Sequence, residues 1–191
     1  MSNHTTTVSN TLIKYVGDLI ALDKHILDAI EGQLNSRKIN EFPTAHRTLA
    51  QASGVLRSGI VTLEQHLSSI GSDPGTPVKK VVSAIAGAAA SVIDRVRPSD
   101  EVSKMLRDTY TALSLDAISS TMLHTTALAM DEDRTAQLAL AHLKNITPLI
   151  MEISQVMPEV VEQELVRDNS DVKNTNIAKK SLVETHKAWT R

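Results

Sequence analysis

The chain of 191 residues has no cysteine, which excludes disulfides, thiolate metal sites and a cysteine nucleophile. Aromatic residues are almost missing too, with one Trp, two Tyr and one Phe. So few rings cannot build stacking platforms for bases, and a net charge of -2 supplies no basic field for phosphates. Nucleic-acid binding is therefore not expected. Proline (6) and glycine (7) are also sparse, too few to punctuate a fold of many short strands. No apolar run approaches the roughly 20 residues of a membrane span, so no transmembrane segment is expected. The opening "MSNHTTTVSN" lacks the basic start and apolar core of a secretion signal. A cytoplasmic protein is the expectation.

What the chain does have is aliphatic side chain, with 41% hydrophobic and 22% charged residues. Its length suits one domain with a substantial core, and the composition favours long helices. Apolar positions at Leu12, Val16, Leu19, Ile26 and Ile30 alternate steps of three and four, the spacing of one helix face. This predicts a first helix over about 8–35. A second stripe through Leu49, Leu56, Ile60, Leu63, Leu67 and Ile70 stops at Gly71, a helix-ending residue. The short link "NSRKINEFP" makes these two helices antiparallel neighbours.

"GSDPGTP" is a turn cluster in which Thr76 and Pro77 read as N-cap and first helical residue. No Gly-Lys-Ser/Thr follows a strand there, so it is not read as a phosphate loop. The Ala-rich "VKKVVSAIAGAAASVIDRV" that follows predicts an extra helix lying across the domain, whose small side chains at 81–93 are also a candidate surface for a protein partner. Ser99 is the expected cap of a third long helix reaching about 130. After the turn "DEDR", a fourth is expected over about 135–157, bent or interrupted near Pro148, with Pro158 starting a separate short piece. The domain reading is a flexible N-terminus at 1–9, a bundle at 10–166, and a polar tail at 167–191 with one amphipathic segment, "IAKKSLVETHKAW". Two helical pairs joined by a long crossover give an all-α antiparallel four-helix bundle with the connectivity of ferritin-like folds.

Polar residues interrupt the core stripes at mid-helix. Asp23 falls between Leu19 and Ile26, Asp116 on the stripe Val102, Leu106, Thr109, Leu113, Ser120, Leu123, and His142 inside "LALAHLKNITPLI". A buried carboxylate must be paired, hydrogen-bonded or metal-bound. Counted from the shared end of the bundle, Asp23, Ser53, Asp116 and His142 come to similar depth. Dimetal bundles use Glu-x-x-His pairs, yet Ala139 stands three residues before His142, at the centre of the apolar arc. Glu64 and His66, two residues apart, diverge on a helix and lie off the main stripe. His25 and His124 read as solvated or rim histidines. Asp23, Asp116 and His142 are thus the candidate ligands of a single ion, with a buried hydrogen-bonded polar layer as the structural alternative.

The stretches "YVGDLIALDKHILDAIEGQL" and "FPTAHRTLAQASGVLRSGIVTLEQHL" resemble the first two helices of the YciF-type stress-protein family, a branch of the ferritin-like superfamily. The similarity of arrangement covers roughly 10–165. It implies a ferritin-like fold, homodimers, and an acidic residue at Asp23 belonging to a dimetal site. The ligand set departs from that pattern. The second helix offers Gln51, Ser53 or Arg57, the third Asp116 or Ser120, and the fourth has "LAHLKN" in place of a Glu-rich run. The expectation is a metal-poor, non-catalytic, stress-associated bundle with a structural or interaction role and no cofactor. The alternatives are a divergent bundle binding iron, manganese or zinc through Asp23, Asp116, His142 and Glu64, and a helical adaptor holding a protein partner through the Ala-rich segment.

Overall fold

The computed structural model describes residues 9–71, 101–168 and 171–189. Among them are five α-helices and no strand: α1 (Asn10–Leu34), α2 (Pro43–Ile70), α3 (Val102–Ala129), α4 (Asp133–Arg167) and α5 (Ala178–Trp189), with a 3-10 turn at Lys38–Glu41. The all-α expectation holds for these residues. The turn cluster beyond Gly71 and the Ala-rich helix lie outside the described residues, and α3 starts at Val102 with Glu101 at its N-cap, which corrects the expected cap at Ser99. No helix among those described is long and apolar enough to cross a membrane.

Local chemistry explains most of the helix ends. Ser9 caps α1 by accepting from Thr11 N at 3.2 Å, and Pro43 sits where a helix start has no use for its missing N–H. Gly71 closes α2, as expected, by donating to Leu67 O at 2.9 Å. The turn into α4 passes through Asp131 in the left-handed region (φ 56), which Asp tolerates better than most residues. Two other ends are capped across the fold. Glu164 of α4 accepts from Val102 N and Ser103 N at the start of α3. Glu162 accepts from Ile177 N and Ala178 N, at 3.1 and 2.9 Å, at the start of α5. A carboxylate is favourable at the positive end of a helix dipole.

Cross-helix contacts set the helix directions. Lys24–Glu64 and Glu31–Arg57 run α1 against α2; Thr48–Glu152 and His66–Thr135 run α2 against α4. Ser103–Glu164 and His124–Ala136 run α3 against α4, and Gln33–Thr109 and the approach of Asp23 to Asp116 run α1 against α3. Every adjacent pair is antiparallel, so α2 and α3 run parallel on the bundle's diagonal. Gly71 and Glu101 consequently lie at opposite ends of the bundle.

The core is two apolar clusters. One is built around Leu22, Ile26, Leu56, Leu113, Ile146 and Ile153, the other around Leu12, Val16, Leu19, Leu63, Leu123 and Ala139. On α1, α3 and α4 the boundary between the clusters falls where Asp23, Asp116 and His142 stand, which sets these residues as a polar layer between two dry halves.

The prolines of α4 correct an expectation. Neither Pro148 nor Pro158 ends the helix, which is continuous over Asp133–Arg167. Each proline in a helix interior costs about 3 kcal/mol, while a fully buried aliphatic side chain contributes about 1.5–3 kcal/mol. Ile146, Leu149, Ile153, Val156 and Val160 are all buried on one face spanning both prolines, so packing outweighs the two interruptions. The helical segment expected in the tail is present as α5. It packs on α4 without burying any residue of its own.

Candidate metal centre

Three helices each bring one side chain to the polar layer. On α1, Asp23 takes the core position between Leu19 and Ile26; on α3, Asp116 follows Leu113 by three residues. On α4, His142 follows Ala139, which is fully buried as its place at the centre of the apolar arc required. Asp23 and Asp116 have no exposed surface and His142 retains 5%. One ligand atom from each lies within 4.8 Å of the others.

The two carboxylates are furnished unequally. Asp116 accepts from His142 Nε2–H at 3.1 and 3.3 Å and from Ser120 Oγ at 3.2 Å. Asp23 has its Oδ2 3.4 Å from the same Nε2, an ion-pair distance, but neither of its oxygens accepts a hydrogen bond among the described residues. Burial pushes the Asp23 carboxyl up to about 7, with Asp116 adding to the rise against the pull of His142. For the His142 ring, burial acts downward, but the hydrogen bonds to Asp116 and the close negative charges of Asp23 and Asp116 overcome it and hold the imidazole up at about 10. A dry pocket with two acids and one base favours any added positive charge.

α2 approaches the centre with a glycine, against which the His142 ring packs, instead of a ligand. Gly59 faces the His142 ring, and a β-carbon there would lie 2.9 Å from Cε1 and 3.0 Å from Nδ1. Ser53, expected at the same depth, is buried but lies six residues further along α2, about 9 Å at helical rise. It does not join the group. Glu64 is excluded as a ligand, since it is held on the surface by Lys24 at 2.6 Å.

Two histidines also differ from expectation or refine it. His66, placed off the stripe by its spacing, is buried and hydrogen-bonded to Thr135 at 2.9 Å. Burial, and to a smaller extent the charge of Arg134, lowers its basicity. Its partner is on another helix: Thr135 opens the buried face of α4 and its hydroxyl needs a hydrogen-bond partner there. His124 is half-buried at the rim and donates from Nδ1 to Ala136 O at 2.9 Å. His25 is half-buried and stays outside the group. Sequence reasoning found Asp23, Asp116 and His142, and missed Gly59, whose contribution is space.

No family model, curated protein or solved structure matches this chain. The reading of the centre rests on its own chemistry.

Proposed function

We propose that this bundle holds one divalent transition-metal ion, zinc, manganese or iron, between Asp23, Asp116 and His142. The observation that carries the proposal is Asp23, a fully buried carboxylate with no hydrogen-bond donor. A buried carboxylate that accepts no hydrogen bond is only partly compensated by the imidazole at 3.4 Å, and a cation bound between it and its neighbours would complete its coordination. Donor spacing fits. Bonds of about 2.0–2.1 Å around a tetrahedral ion put donor atoms about 3.3 Å apart, and His142 Nε2 stands 3.1 and 3.4 Å from the nearest oxygens of Asp116 and Asp23. Two carboxylates and a neutral imidazole balance a 2+ ion, and that donor set suits these metals.

The surroundings favour one ion over two. At this level α2 presents Leu56, Gly59, Ile60 and Leu63, and α4 presents Ala139, so among the described residues these two helices add no carboxylate or further imidazole for a second ion. With three protein ligands, such an ion would keep open positions and supply Lewis-acid or, as iron or manganese, redox chemistry. The chain's residues would orient it: Ser120 steadies Asp116, and apolar clusters flank the layer on both sides.

The ferritin-like relation belongs to the same proposal, together with homodimers and a stress-associated role. Its support is the parallel course of α2 and α3, which requires the connection between them to join opposite ends of the bundle, as the long connection of ferritin-like bundles does. A second reading, a metal-poor, non-catalytic polar layer, is favoured by the hydrogen bonds His142 already gives Asp116.

Elemental analysis of protein purified without chelator separates the readings. One equivalent of transition metal per chain is expected, lost in Asp23→Ala. Protein that emerges metal-free and gives no heat on titration with zinc, manganese(II) or iron(II) would sink the metal reading and leave the polar layer.

A further inference from the structure

α2 gives the centre no ligand atom, yet one of its residues sets the centre's shape. A β-carbon at Gly59 would meet the His142 ring at 2.9 and 3.0 Å, and Asp23 Oδ2 at 3.8 Å. Carbon atoms do not approach ring atoms so closely without something shifting. The ring has little room to withdraw, because Nε2 is held by Asp116 on its far side and both carboxylates are fully buried. The same helix supplies its own control. At Gly54 a β-carbon would find nothing within 4 Å, so α2 has no general need for glycine, which weakens a helix interior by about 1 kcal/mol relative to alanine. The two glycines differ in what stands opposite them.

Gly59 is half-exposed over the ring, and of the three centre residues His142 alone retains any exposure. We propose that Gly59 is the positioning residue of the centre: its missing side chain seats the His142 ring with Nε2 turned to the carboxylates, whether or not an ion is bound there.

The test compares Gly54→Ala and Gly59→Ala in the full chain. In metal-free protein, Gly54→Ala should melt at or above the wild-type temperature and leave the His142 ring signals in the NMR spectrum unchanged. Gly59→Ala should melt lower and move those signals. The loss should vanish when Gly59→Ala is made in a His142→Ala background, because removing the ring removes the clash; this cycle also covers the case in which the single variant folds poorly. Unmoved ring signals, or an equal loss with and without the ring, overturn the seating.

Discussion

Gln33 and Asp23 both stand fully buried on the core face of α1, and their surroundings differ in kind. Gln33 is served at both ends of its amide: Thr109 Oγ donates to its Oε1 at 2.9 Å, and its Nε2 donates to Met105 O at 3.4 Å. At the opposite end of the bundle His66 and Thr135 satisfy each other likewise. These neutral pairs tie helices together in one register and ask for nothing further. The central layer is charged and lopsided, with one carboxylate accepting three hydrogen bonds and the other accepting none among the described residues, its Oδ2 standing 3.4 Å from His142 Nε2. Neutral, completed pairs mark structure; a charged and incomplete group in the same core marks the place of a missing partner.

The strongest way to break the comparison is to remove the base. In metal-free protein, His142→Ala leaves two buried carboxylates facing each other and should cost about 3–5 kcal/mol, measured by denaturant unfolding. A loss below about 1 kcal/mol would mean that the central layer is as self-sufficient as the Gln33 pair.

Next in size is the response to pH. A metal must displace the proton that His142 holds up to about 10, so cobalt(II) affinity by titration calorimetry should rise roughly tenfold per pH unit from 7 upward. Below 7, where Asp23 also binds a proton, the slope should steepen. The stability of metal-free protein should move the other way. A ring more basic folded than unfolded contributes in full below pH 6.5, and that contribution is lost as pH climbs toward 10. The raised Asp23 acts in the same sense between 3.8 and 7. His66, less basic folded than unfolded, acts in the opposite sense, withdrawing stability as pH falls through 6.5. A pH-independent affinity would contradict the assignment of His142 as a ligand.

Smaller effects should come from the completed pair. Gln33→Leu alone strands the Thr109 hydroxyl and should cost about 1–3 kcal/mol, while Gln33→Leu with Thr109→Val should return most of that loss. A double variant no better than the single would show that the pair is more than a register device. Smallest of all, Lys24→Ala breaks an exposed ion pair with Glu64 on the same two helices and should change stability by less than about 1 kcal/mol. A larger loss would mean that this surface pair supports the layer beneath it.

Much of this was legible in the chain. The four long stripes, the stop at Gly71 and the two acids on core positions all follow from spacing on single helices, and the structure bears them out. The misses share a cause. His66 looked peripheral because its partner Thr135 is on another helix, and Ser53 looked central because depth counted along separate helices drifts by a turn or more. Pro148 and Pro158 read as breaks because a proline's cost is local whereas the burial that overrides it is contributed by three other helices. The caps given by Glu162 and Glu164 to distant helix starts carry no sequence signal of their own.

By itself, then, the sequence determined which residues are helical and which side of each helix faces inward, because both depend on side chains three and four positions apart. Only the tertiary structure decided that Asp23, Asp116 and His142 share one space, that one carboxylate accepts hydrogen bonds and the other does not, and that the His142 ring packs against Gly59. Those facts depend on the relative register of separate helices, which packing fixes across the bundle and no local spacing encodes.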